Sequence, residues 1–283
     1  NTFDKNANIS YRKNTFYSSI FFNNFSSNGY DLVEDDGSNT VNKFRNNTLQ
    51  IKLRKEISEK LNIKINARYF AQLIDNIAPN NLKGETFTAE DNISLIINHN
   101  SDKFKTDFEI YYTSYFGDEF LNDEQGNRFS ESFYDQILVK PEIKTVYKVD
   151  MQKEFVFGMG YKYETLNRTF FDSKPKQNSP FIYFQYDFYP TEKINLIFGG
   201  RFDKFEEYKS QFSPKLSGIF EINNNESIKF SAGYGYKTPD FRQLYFNFSN
   251  STVGYSVIGY NVVENVLNQL IEEGQIANII VPI

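Results

Sequence analysis

His99 is the chain's one histidine, and there is no cysteine among the 283 residues. Thiolate metal sites and disulfides are therefore excluded. No Gly-x-Ser-x-Gly run and no paired histidines accompany His99, so nucleophilic and zinc-hydrolase chemistry lack their parts. Two groups of acids could hold calcium: Asp31, Glu34, Asp35 and Asp36, and Asp118, Glu119, Asp123 and Glu124. Neither has the spaced loop pattern that supplies six to eight oxygens, and solvated loop charge is the simpler reading. Arg201 and Asp203 stand two apart, as an ion pair on one strand face would. The richest chemistry lies in "KTPDFRQLYFNFSN" and just beyond. There Lys237, Arg242, Tyr245 and Tyr255 offer two cations and two phenols, a set suited to holding an anionic or aromatic ligand. The alternative is that Phe241, Leu244 and Phe246 staple a loop whose charges are merely solvated. We expect ligand binding, with no catalytic residue, metal or cofactor.

These residues need a scaffold, and the scaffold is legible as period two. Ile194, Leu196, Phe198, Gly200 and Phe202 alternate with Asn195, Ile197, Gly199, Arg201 and Asp203. The same alternation runs through Leu61–Tyr69, Phe155–Tyr163 and Ile228–Tyr236. One face is apolar and the other mostly polar, as in a β-strand between two environments. Short polar turns near Arg12–Asn14, Ser58–Lys60, Ser101–Lys103, Val149–Gln152, Pro190–Glu192 and Asn223–Asn225 alternate with longer segments. The latter are expected at 31–44, 76–85, 118–131, 169–178, 206–210 and from 238 onward.

About twelve strands result, over 7–12, 15–29, 45–57, 61–75, 86–100, 104–117, 132–148, 153–168, 179–189, 193–205, 211–222 and 226–237. Most exceed ten residues, where ordinary sheets favour ~5–6. A soluble β-sandwich would also alternate, but with shorter strands and unsorted connections. An outer-membrane barrel predicts ~9–11 residues per crossing, short periplasmic turns and long outer loops. Thirty Phe and twenty Tyr without a Trp, in a chain of mean hydropathy -0.55, suit strands of which every second residue meets lipid. The net charge of -5 with no basic block argues against nucleic acid. No apolar run is long enough for a transmembrane helix.

The final connection has its own pattern. Pro239 is expected to end the preceding strand, and 238–275 to form a long extracellular loop. Within it Val262, Val263, Val266, Leu267, Leu270 and Ile271 follow helical spacing, with Asn261 as N-cap and Gly274 as C′.

From about 184 to 274 the chain resembles the C-terminal half of TonB-dependent outer-membrane receptors. The likeness is carried by "FQYDFYPTEKINLIFGGRFDKFEEYKSQFSPKLSGIF" and "IKFSAGYGYKTPDFRQLYFNFSNSTVGYSVIGYN", with Asp203, Ser213–Leu216 and Gly235–Tyr245 in order. Residues 1–183 match only as generic barrel hairpins. The resemblance implies a large plugged barrel of 22 strands in the outer membrane. It also implies TonB-coupled uptake of a scarce nutrient such as an iron chelate, cobalamin or a glycan. The expected partners are outer-membrane lipid, the TonB complex acting through a plug, the nutrient, and as a further candidate a surface lipoprotein. No plug or TonB-contacting segment is visible, so residues 1–283 are read as one partial all-β antiparallel barrel domain, a fragment of a longer receptor. A passive pore or adhesin barrel is the alternative, and a barrel-embedded enzyme a third.

Overall fold

The computed structural model describes residues 1–33, 38–250 and 254–275. Twelve strands make one antiparallel sheet in strict chain order: β1 (Thr2–Lys13), β2 (Phe16–Ser27), β3 (Lys43–Ser58), β4 (Leu61–Ala78), β5 (Leu82–Asn100), β6 (Phe104–Asn122), β7 (Arg128–Lys148), β8 (Lys153–Arg168), β9 (Lys176–Thr191), β10 (Ile194–Asp203), β11 (Gln211–Asn223) and β12 (Glu226–Gly233). Among the described residues β1 and β12 do not pair with each other, so the sheet stays open at both edges. A small outer unit follows: helix α1 (Phe241–Tyr245), the hairpin β13 (Asn247–Asn250) and β14 (Tyr255–Ile258), and helix α2 (Val263–Glu272).

The sheet's two faces are chemically distinct. Phe198 and Phe230 lie on the outer face, 41% and 47% exposed, while Asn195 and Asp203 on the opposite face are 8% and 6% exposed. Ion pairs line that inner face: Arg68–Glu90 at 3.2 Å, Lys140–Glu142 at 2.9 Å, Lys162–Glu164 at 3.0 Å and Arg201–Asp203 at 2.7 Å. Such a surface is stable against water, and the outer face is stable against hydrocarbon.

Two expected loops are strand instead. Residues 76–85 and 118–131 are mostly ladder, with turns only at 79–81 and 123–127. Their polar composition misled because strand that projects beyond a membrane can be polar on both faces while the ladder still satisfies its backbone. Asn80 and Asn81 close the first turn at φ 64° and 57°, a region that Asn tolerates better than other side chains. In the second, Asp123 accepts the amides of Gln125 and Asn127 at 3.0 and 2.8 Å.

The last strand also ends early, at Gly233 rather than 237, and the cause is not Pro239. Tyr234 donates its amide to the Pro214 carbonyl at 3.0 Å. Pro214 has no N–H to return, so the reciprocal bond of the pair cannot form and the ladder stops.

Candidate functional site at the outer end of the sheet

The chain turns over the sheet's outer end through α1. Asp240 accepts the Gln243 amide at 2.9 Å, and the Gln243 side chain accepts the Asp240 amide at 3.0 Å, a complete capping box. Burial opposes ionisation of Asp240, yet the Gln243 amide and the Arg242 guanidinium hold its carboxyl below the ordinary value. Phe241 and Leu244 are the buried face of this short helix. Behind it the chain returns closely: Gly259 donates to the Phe246 carbonyl at 2.6 Å, and a Cβ there would stand 2.5 Å from Tyr245 N.

Aromatic rings join this unit to the β8–β9 connection. Phe170 meets Phe246 and Phe248 edge-on, at centroid distances of 5.7 and 4.9 Å. The Asn247 amide donates to the Phe170 carbonyl at 2.9 Å, and its side chain donates to Asp172 at 3.2 Å. Arg168, at the end of β8, stands 5.2 Å from the Phe246 ring centre, 5.6 Å from Tyr134 and 6.0 Å from Phe171. Among the described residues no carboxylate pairs with it.

These elements enclose a polar recess of about 380 Å³ on the inner side of the sheet. Tyr134, Lys162, Glu164, Arg168 and Gln177 form its wall, and Thr238–Arg242 its cover. A second recess of about 550 Å³ shares Tyr134, Gln136 and Arg168 with the first and reaches Asp118 and Glu119.

The expected ligand residues do not converge. Arg242 lines the first recess and pairs with Asp240 at 3.5 Å. Tyr245 turns the other way, toward Phe171 and Phe241, and burial there pushes its hydroxyl above the ordinary value. Tyr255 is exposed on the β13–β14 hairpin, 5.9 Å from the Phe248 ring. Lys237 is exposed and lines neither recess. Arg168, Tyr134 and Lys162 are a set that the sequence shows only in part. Their inward parity on β7 and β8 is legible; their apposition to a loop about 70 to 104 residues later is not.

The remaining candidates have structural roles. Asp31 accepts the Val33 amide and the Thr40 hydroxyl, both at 3.1 Å, which holds its carboxyl low. Asp123 is held low by Asn127 and the turn amides. Glu34, Asp35 and Asp36 lie outside the described residues. Among the described residues no three ligating side chains gather as for a metal. The N-cap of α2 is Val262, not Asn261, whose side chain instead donates to Glu207 at 3.0 Å. Gly274 is the C′ residue, at φ 70°, with Gln275 donating to the Leu270 carbonyl at 2.9 Å as a Schellman motif requires.

An up-and-down sheet of long strands, apolar outside and ion-paired inside, with its loop elaboration at one end, defines an outer-membrane β-barrel protein. More specifically, the chain belongs to the TonB dependent receptor-like β-barrel family, whose model matches residues 1–266. The siderophore receptor PirA from Pseudomonas aeruginosa superposes with a TM-score of 0.66 at 17% identity, covering 91% of this chain and 46% of that one. The FrpB iron transporter from Neisseria meningitidis gives 0.69 at 11% identity, covering 84% and 44%. The copper transporter OprC gives 0.62 at 13%, covering 86% and 44%. In sequence, an iron-regulated outer membrane virulence protein of Vibrio cholerae serotype O1 is 28% identical over 69 residues, 24% of this chain and 11% of that protein. The chain thus spans less than half the length of these structures. Family and neighbours are receptors and transporters rather than enzymes.

Proposed function

We propose that this chain is the outer-mouth portion of a receptor that imports a scarce nutrient, an iron chelate before cobalamin or a glycan, with energy from TonB. The observation that carries the reading is the inner-side recess, where Arg168, Lys162 and Arg242 gather beside Tyr134 under a capped, aromatic-stapled loop. Cations and rings of this kind hold a soluble anionic ligand without a cofactor. Arg242 contacts the ligand from the cover, Tyr245 anchors that cover, and Lys237 and Tyr255 meet the ligand on the exposed rim. The twelve strands contribute one wall of a larger closed barrel, and a plug supplied elsewhere in the receptor receives the pull of TonB. That structural neighbours include a siderophore receptor and an iron transporter supports the choice of nutrient.

The test is uptake by the full-length receptor carrying Arg242→Ala and Tyr245→Ala together. We expect uptake to fall while heat-modifiable migration of the barrel is retained; normal uptake would remove both residues from the ligand site. Collapsing the proton-motive force should stop uptake, whereas unchanged flux would leave a passive pore.

A further inference from the structure

Two further depressions are not at the mouth. They lie on the outer face, adjoin one another, and measure about 560 Å³ each. Their shared floor is one row across four strands. Ile143 pairs with Met159, Met159 with Ile182, and Ile182 with Phe202. Below this row Gly200 faces outward with no side chain, and Phe184 and Phe212 bend over it, their ring atoms 3.2 and 2.7 Å from where a Cβ would be. Gly200 leaves the space into which those two rings lean, and the hollow opens beside them. Above the row come Tyr161, Pro180 and then Lys204, just past the outer end of β10. From Gly200 to Lys204 the groove rises roughly 13 Å along the strand.

Charge completes the shape. Lys204 closes the upper end, and among the described residues no carboxylate pairs with it. Asp203 is held by Arg201 on the inner face, and Glu206 is hydrogen-bonded by Asn178 Nδ2 at 2.8 Å, with Asn178 in turn accepting the Tyr161 hydroxyl. The groove is thus apolar below and ends, at its outer end, at the Lys204 ammonium. A second copy of the chain would have to place an anion at Lys204 and fill a narrow vertical slot with a flat sheet face, which fits poorly.

We propose that this groove binds one phosphate-bearing lipid, its acyl chain lying between Phe184, Phe212 and Met159, and its phosphate against Lys204 Nζ. An ammonium at a membrane surface recognises phosphate as a point charge, and the hollow lets a chain pack more closely than on an unbroken aromatic surface. The site is separate from the mouth and does not depend on what the receptor imports.

Native mass spectrometry of the full-length, delipidated receptor tests it, using dimyristoyl phosphatidic acid and dimyristoyl phosphatidylcholine as probes. We expect one phosphatidic acid per barrel, retained about tenfold more strongly than phosphatidylcholine. Lys204→Glu should abolish that preference, and Lys209→Glu, in the same loop but away from the groove, should keep it. Met159→Trp, which fills the hollow, should weaken both lipids while heat-modifiability stays normal. Equal retention of the two lipids, the same loss in both lysine variants, or a dimer that carries no lipid would each overturn the proposal.

Discussion

At the residue scale, the loop's order hangs on a few backbone amides. Asp240→Ala removes one half of the capping box and should cost the local helix about 1 kcal/mol, read as faster amide exchange at Gln243 and Leu244 with the barrel unchanged. The same bond predicts a pH dependence. The folded Asp240 carboxyl titrates below its ordinary value, so its contribution is present above the unfolded pKa and is lost as pH falls through the lower folded value. Protection factors in α1, which correct for the intrinsic pH dependence of exchange, should therefore fall as pH drops below about 4. Asp240→Asn, which caps without ionising, should flatten that fall; an unchanged profile would assign it to other carboxylates. Gly259→Ala is the opposite kind of change. Its Cβ meets backbone, not a movable side chain, so the β14 return should separate from α1. Proteolysis of the outer unit at unaltered barrel stability would show it.

At the scale of elements, each strand is specified by what its two faces touch. Phe198 and Phe230 face outward with the aromatic and aliphatic residues of neighbouring strands. Phe198→Arg should destabilise the complete barrel by roughly 2–4 kcal/mol if the position is at mid-membrane, and less nearer an interface. Denaturant unfolding in detergent measures this, and a loss near zero would place Phe198 away from hydrocarbon. The inner ion pairs should behave differently. Lys162→Gln removes the ion pair but leaves Glu164 hydrogen-bonded by Gln136 at 2.8 Å, so stability should change by under about 1 kcal/mol.

For the whole molecule, the open sheet is the governing fact. Edge strands β1 and β12 expose unpaired backbone groups along their length, which in hydrocarbon costs several kcal/mol each. Residues 1–283 expressed alone should aggregate rather than insert, because long free edges template further pairing. A monodisperse, heat-modifiable monomer in detergent would contradict this. Orientation is checkable too, since no native cysteine competes. A cysteine at Asn265, exposed on α2, should be labelled on intact cells carrying the full-length receptor. Labelling only after permeabilisation would invert the topology.

The sheet is legible in the residue pattern. Alternation such as Ile194–Asp203 has one physical solution, a strand between unlike environments, and tight turns between long alternating runs leave little choice but up-and-down pairing. Arg201 and Asp203 could be read as a pair because two residues on one strand face are neighbours whatever the rest does. The helix-ending Gly274 was readable for the same reason, its requirement being local. The α1 capping box is equally local, written as Asp240-x-x-Gln243. Tertiary structure decided everything that depends on distant chain segments meeting. It ended β12 opposite Pro214, gave Asn261 to Glu207 instead of to a helix start, and set Arg168 among rings from three separate segments. It also scattered Lys237, Arg242, Tyr245 and Tyr255, which are near in sequence but leave the strand in different directions. Proximity along a loop carries no information on facing, because a loop has no repeat to fix it; only the packing of Phe170, Phe246 and Phe248 does.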